Sequence, residues 1–161
     1  MTEGLVHIRI AKPDEAATLS ALCVRSKAHW GYDDAFMQKS AASLEVHETD
    51  IAAGRVLVAV DDAGELLGVA GVVAQGESAD LDVMFVDPPA IGSGAGRLLF
   101  EAAARLARGL GARRMTILAD PNAAAFYERM GARFLQDAPS DAIPGRNLPL
   151  YELDLTSEAR R

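Results

Sequence analysis

Between Val86 and Leu99 the chain reads VDPPAIGSGAGRLL. An apolar run over 79–86, ADLDVMFV, stops at Pro88-Pro89; Gly92, Gly94 and Gly96 then recur at every second position. From about 94 to 109 an apolar-periodic segment predicts a helix, closed by Gly109 and Gly111. The order is therefore strand, glycine loop, helix. Glycine reaches positive φ and lets a backbone approach a ligand without a Cβ in the way. Free N–H groups in such a loop, with the positive end of a helix behind them, form a cradle for an anion. A lone Gly-x-Gly is usually a turn. Three alternating glycines between a buried strand and an apolar helix favour phosphate.

The kind of phosphate ligand can be narrowed. A nucleotide P-loop needs Lys-Ser/Thr directly after its glycines; here Gly96 is followed by Arg97-Leu98. A dinucleotide- or methyl-donor-binding fold would set an acid after the next strand, and Asp120 stands there. Such a fold also needs a longer parallel sheet. Only residues 121–161 follow Asp120, and the segments before the loop read as antiparallel hairpins.

Those segments are legible. Residues 5–10, LVHIRI, alternate as a short strand, and Pro13 with Asp14 and Glu15 opens a helix whose apolar face carries Leu19, Leu22 and Cys23. HWGYDD at 29–34 breaks it, and 34–52 reads as one or two further helices. A strand at 55–60, a turn at Asp61-Asp62-Ala63-Gly64 and a strand at 65–75 form a hairpin. After the loop and its helix come a strand at 113–118, a short helix at 121–131, and strands at 132–137 and 148–155. This predicts one domain, a mixed α/β sheet with helices on both faces rather than regular βαβ alternation.

Composition removes other classes. The net charge of −7 argues against nucleic acid and anionic membrane as partners. No apolar run approaches the roughly 20 residues of a membrane span. The one cysteine allows no internal disulfide, and the N-terminus lacks a signal peptide's basic start and apolar run, so a cytoplasmic location is expected.

The stretch from Val86 to Phe134 resembles the cofactor-binding core of the GNAT superfamily of coenzyme-A-dependent N-acetyltransferases. The matching residues are Val86-Asp87-Pro88, then Ile91-Gly92-Ser93-Gly94-Ala95-Gly96, then Asn122, then Phe126-Tyr127-Glu128-Arg129-Met130-Gly131-Ala132. The resemblance implies a mostly antiparallel sheet splayed between strands 79–86 and 113–118, with the cofactor's pantetheine arm in the gap. It implies acetyl-CoA as cosubstrate, no metal, and direct attack by a small-molecule amine or a protein amino group. Members of the family often dimerise; the sequence carries no interface signature for or against a homodimer. The family usually has Arg or Gln where Ile91 stands, so a side-chain contribution to the pyrophosphate is lost there. Backbone N–H groups of Ile91 to Gly96 remain, and Arg97 is placed to compensate.

The resemblance also distributes roles. A backbone N–H near Phe85 or Val86 would stabilise the oxyanion, and Asn122 would reach the cofactor arm. Tyr127 stands where the family's thiolate-protonating tyrosine sits, with Phe126 anchoring the helix; an aromatic pair that merely packs is the plainer reading. Asp82, in phase with Met84 and Val86 on an apolar strand, is a candidate base, since a carboxylate there is costly unless paired or used. His29 is the other, and with Trp30, Tyr32 and Asp33 it falls where the family builds its acceptor site. Arg146, in a loop rich in Pro and Gly, is a further acceptor-site candidate. His7 and His47 read as structural or solvated, and Cys23 as core. A non-catalytic acyl-CoA-binding module is the competing class.

Overall fold

Apolar alternation and turn chemistry carry over into a seven-stranded sheet in the computed structural model, which describes residues 5–156. The strands are β1 (His7–Ile10), β2 (Val56–Val60), β3 (Leu66–Gln75), β4 (Ser78–Val86), β5 (Arg114–Leu118), β6 (Arg133–Pro139) and β7 (Asn147–Asp154). They lie in the order β1-β2-β3-β4-β5-β7-β6. The helices are α1 (Ala16–Ala28), α2 (Asp34–Ser40), α3 (Glu48–Ala52), α4 (Ala95–Gly109) and α5 (Ala124–Arg129). The segment 34–52, read as one or two helices, is two short helices with a 3-10 turn, Ala41–Leu44, between them. Pro13–Glu15 and Pro121–Ala123 are likewise single 3-10 turns that feed α1 and α5. Both begin with proline, which has no N–H to leave orphaned.

The β2–β3 turn shows how local chemistry sets register. The Asp61 carboxylate accepts from the N–H groups of Ala63 and Glu65, both at 2.9 Å, while Gly64 takes φ +85°.

Two apolar cores form, one on each face. α4 lays Leu99, Phe100 and a run of buried alanines on one face, against Leu57, Ala59, Ala70, Val72, Leu81 and Met115. Its small side chains let the helix sit close, and so does the sheet beneath it. A Cβ on Gly68 of β3 would fall 2.8 Å from Leu99 Cδ1 and 2.9 Å from the Phe85 carbonyl. On the other face α1 packs Leu19, Leu22 and Cys23 against Val56, Val58, Val60 and Val69. The Cys23 thiol is fully enclosed there, and burial pushes its pKa up to about 12.

One pairing breaks the antiparallel pattern. β4 and β5 run parallel, and they are joined only where Ser78–Asp80 meet Arg114–Thr116. From Leu81 and Ile117 onward the two strands pair no further with each other. The sheet therefore forks at its centre, opening toward the C-terminal ends of both strands. A dinucleotide-binding fold would need continuous parallel pairing here, so Asp120 is not a ribose-binding acid of that kind.

Candidate functional site

The glycine loop begins where β4 ends, at the open side of the fork. Gly92 and Gly94 take φ +88° and +92°, and Gly94 caps α4 from the left-handed region. The hydrogen bonds of this loop alternate. The N–H of Ile91 donates to the Pro88 carbonyl, that of Ser93 to Ala90, and that of Ala95 to Ser93 Oγ. Among the described residues, the N–H groups of Gly92, Gly94, Gly96 and Arg97 meet no acceptor. These four lie at and just before the first turn of a 15-residue helix, where backbone donors and dipole together favour an anion. Ile91 therefore presents neither a free N–H nor a polar side chain, and its side chain is 54% exposed. The Arg97 guanidinium leans toward Glu101 at 3.5 Å on the helix surface. Gly96 has a second reason to be glycine. A Cβ there would touch the Phe126 ring at 3.4 Å, so Phe126 packs α5 onto the start of α4.

Inside the fork the register decides which amides are free. Phe85 pairs with Val69, and the Asp87 N–H donates to the Leu67 carbonyl. In an antiparallel ladder that makes Phe85 and Asp87 the positions bonded to β3. The N–H groups of Met84 and Val86 point to the opposite edge, into the fork. Of the two positions expected to serve an oxyanion, Val86 presents its donor to the fork and Phe85 does not.

Tyr127 lies on the α4 face, 5% exposed, with Phe126 at 5.2 Å and Phe100 at 5.9 Å between ring centroids. No group among the described residues hydrogen-bonds its hydroxyl, and none of their buried side-chain polar atoms lacks a partner. The hydroxyl is therefore not wholly enclosed, while the ring is packed. Burial, with the negative charge of Asp120 added, raises its pKa well above the usual tyrosine range. The group keeps its proton at any physiological pH.

The last turn of α1 straddles the fork. Arg25 donates twice to Asp87, past the end of β4, each bond 3.0 Å long; Lys27 Nζ meets Asp120 Oδ2 at 2.6 Å, past the end of β5. Asp120 gathers more. It accepts from the Tyr32 hydroxyl at 2.9 Å, from the Asn122 N–H at 2.9 Å and from Asn122 Nδ2 at 2.9 Å. Burial alone would raise its pKa, but Lys27, the Asn122 amide and Tyr32 outweigh that and hold it ionised, below the ordinary carboxylate value. Arg146 Nη2 reaches the same Tyr32 hydroxyl at 3.0 Å, and Tyr32 stacks on Phe36 with centroids 4.0 Å apart.

A model of the acetyltransferase (GNAT) family matches residues 24–132 of this chain. The chain belongs to the GNAT acetyltransferase family. A search of curated proteins finds no match. Solved structures with the same fold are numerous. A GCN5-related N-acetyltransferase from Rhodopseudomonas palustris is 24% identical, with a TM-score of 0.75 over 96% of this chain and 98% of that one. The PaiA N-acetyltransferase from Thermoplasma acidophilum, in complex with coenzyme A, is 15% identical with a TM-score of 0.76, covering 93% and 99%. YncA from Salmonella typhimurium, with its cofactor acetyl-CoA, is 21% identical with a TM-score of 0.68, covering 94% of each chain.

For a GNAT acetyltransferase, the positions singled out in the sequence sort into groups. Tyr32, Asn122 and Arg146 meet in one cluster, joined by Lys27, Phe36 and Asp120, which sequence reasoning did not place there. Asn122 spends its amide on Asp120 and Tyr32, inside that cluster. His29 and Trp30 pack edge-on to each other at 5.3 Å, and Trp30 is 45% exposed. No side-chain hydrogen bond among the described residues ties either to the cluster; the Trp30 N–H donates to the Lys27 carbonyl at 3.3 Å.

Asp82 is not in phase with Met84 and Val86. The β3–β4 register jumps from Gly71↔Val83 to Val72↔Leu81, so Asp82 is the extra residue of a β-bulge. Its carboxylate lies over β3, with Oδ1 3.1 Å from where a Gly71 Cβ would stand, beside Val83 on the α1 face. It lines an open cavity of about 210 Å³ together with His47, Asp50 and Arg55. Burial first, then the charges of Asp80 and Asp50, raise its pKa above the ordinary carboxylate value. The bulge sits two positions beyond Asp80, where β4 parts from β5.

No helix among the described residues is long and apolar enough to cross a membrane.

Proposed function

We propose that the chain transfers the acetyl group of acetyl-CoA to a primary amine by direct attack within a ternary complex. The observation that carries this reading is the pairing of a forked sheet centre with four unsatisfied amides at its mouth. An extended pantetheine chain can supply the fork edges with hydrogen bonds, and a diphosphate suits Gly92, Gly94, Gly96 and Arg97. These residues fit the cosubstrate, whose thioester brings an activated acyl group with a thiolate leaving group. PaiA with coenzyme A and YncA with acetyl-CoA, which share the fold, support the choice of ligand.

Each chemical demand then has a residue. Charge builds on the thioester oxygen during attack, and the Val86 N–H is fixed toward the fork to meet it. The departing sulfur gains a proton from Tyr127, whose hydroxyl is kept neutral by burial and by Asp120. The attacking amine must lose a proton. Asp82 takes it through solvent in its cavity, its raised pKa making it a better base than an ordinary aspartate. The acceptor enters on the α1 face, over Tyr32 and Arg146, while α4 holds the cosubstrate from the other side. A cytoplasmic setting, where acetyl-CoA is available, suits this chemistry.

Thermal shift with acetyl-CoA, S-adenosylmethionine and NAD tests the ligand, and thiol release with a panel of amines tests the reaction. Stabilisation by acetyl-CoA with amine-dependent thiol release is the expected result. Stabilisation by either other ligand alone would overturn it. Binding without release from any amine would favour the acyl-CoA-binding module.

The Asp82 role predicts a pH effect of definite sign. A base works only when deprotonated, so kcat/KM should rise through an apparent pKa above the usual carboxylate range. Asp82→Asn should lower kcat/KM about tenfold or more and remove that limb. A pH profile that keeps the limb in the variant assigns it to another group.

A further inference from the structure

We infer that the acceptor amine also bears a carboxylate, and that Arg146 receives it; this rests on the acetyl-transfer reading above. Two cations lean over one stacked aromatic pair. Lys27 Nζ is 5.1 Å from the Tyr32 ring centre and 5.7 Å from that of Phe36, and the Arg146 guanidinium is 5.3 and 4.8 Å from the same two. Their partners differ. Lys27 is matched by Asp120 at 2.6 Å. Arg146 has no carboxylate within 4.0 Å among the described residues. Among the described residues its one side-chain hydrogen bond goes to a neutral hydroxyl, that of Tyr32. The cluster therefore holds two positive groups and one negative.

Arg146 is half-buried, so part of its hydration is gone. A cation drawn partly out of water needs an anion or a full set of acceptors, and stacking on two rings replaces only some of that. A guanidinium carries five N–H donors in a planar fork matched to a carboxylate, and most of this one's are uncommitted. Its aim is also fixed. Tyr32 gives its proton to Asp120 and accepts from both Arg146 and Asn122, which sets the hydroxyl's lone pairs. The backbone of Arg146 is tied at both ends: its carbonyl accepts from the Ser140 N–H at 2.8 Å, and its N–H donates to Ile143 at 3.2 Å. Tyr32 and Phe36 belong to the segment from α1 into α2, so the cluster caps the fork from the α1 side. The unpaired amides of the glycine loop lie at the N-terminal end of α4, whose core is on the opposite face. The phosphates of the cosubstrate thus have their own donors, and Arg146 is left for the acceptor. An α-amino acid or an amine with a nearby carboxylate is the substrate class that this arrangement selects.

The test offers the protein matched pairs with acetyl-CoA: glycine and glycinamide, leucine and leucinamide, phenylalanine and phenylalaninamide, with thiol release as the readout. The free-carboxylate member should win each accepted pair by about ten- to a hundredfold in kcat/KM, the range of a charge-assisted bond. That preference would run against the supply of free amine, since the amide's amine is the less basic and so the less protonated. Arg146→Gln should bring the ratio within a pair toward one, and Arg146→Lys should restore part of it. Equal or inverted ratios in the wild type would overturn the inference. So would a ratio that Arg146→Gln leaves intact. A second readout does not need turnover. Saturation-transfer NMR on the CoA-loaded protein should detect the carboxylate member of a pair in preference to the amide, and no preference would overturn the inference even if no amine is acetylated. Failure of coenzyme A itself to bind would instead remove the acetyl-transfer reading, and this inference with it.

Discussion

Tyr127→Phe should lower kcat for thiol release by about a hundredfold or more while leaving the dissociation constant of acetyl-CoA within about twofold. The variant removes one oxygen and keeps the ring. The ring holds α5 against Phe100 of α4 and packs edge-on to its neighbour Phe126, and the hydroxyl bonds to no group among the described residues. Folding stability should therefore change little, and the loss should fall on the chemical step. A thiolate leaving without a proton is the harder departure, and a tyrosine held neutral by burial can donate at any working pH. Steady-state kinetics with isothermal titration separates the two quantities. An unchanged kcat would show that sulfur takes its proton elsewhere. Equal losses in kcat and in affinity would mean that Tyr127 shapes the cosubstrate site instead.

Gly94→Val should raise the dissociation constant of coenzyme A by about ten- to a hundredfold, the cost of losing one or two charge-assisted hydrogen bonds. Nothing lies within 4 Å of a Cβ at this position, so a clash cannot be the cause. The cause is the backbone. Gly94 sits at φ +92°, and a β-branched residue resists that region at about 1–3 kcal/mol. The loop relaxes and its donors lose their common aim. Gly76→Val provides the control. Its φ of +63° in the β3–β4 turn is also positive, and space is open around it as well. It should cost stability with no loss of cosubstrate affinity. Equal effects of the two substitutions on affinity would mean that general destabilisation, not the loop, governs binding.

Most of the fold was legible because its signals are local. Strand limits fell within about two residues wherever apolar alternation ended in a turn residue, as at Asp61–Gly64 and Val86–Pro88. The fork followed from the family resemblance, not from periodicity, since no single-strand pattern says where two strands part. Asp82 shows the limit of phase arguments. Counting by twos from Val86 sets it in phase with Met84 and Val86, which pack on the α4 face, but a bulge adds one residue and moves it to the other. The functional cluster was half legible. Tyr32 and Arg146 stood out as an aromatic and a cation in irregular segments. Asp120, which accepts from Tyr32, is legible in the sequence only as an acid after a strand, and it also caps Pro121–Ala123 through the Asn122 N–H. Lys27 bonds to it across a separation of 93 residues, which only the closed sheet brings together.

The central claim is that alternate amides of the glycine loop hold the diphosphate of coenzyme A. Amide NMR during a titration with coenzyme A measures this residue by residue. The account predicts the largest downfield shifts at the N–H groups of Gly92, Gly94, Gly96 and Arg97, with those of Ile91 and Ser93, already bonded to carbonyls, moving less. Saturable binding that leaves those four amides unmoved would contradict it.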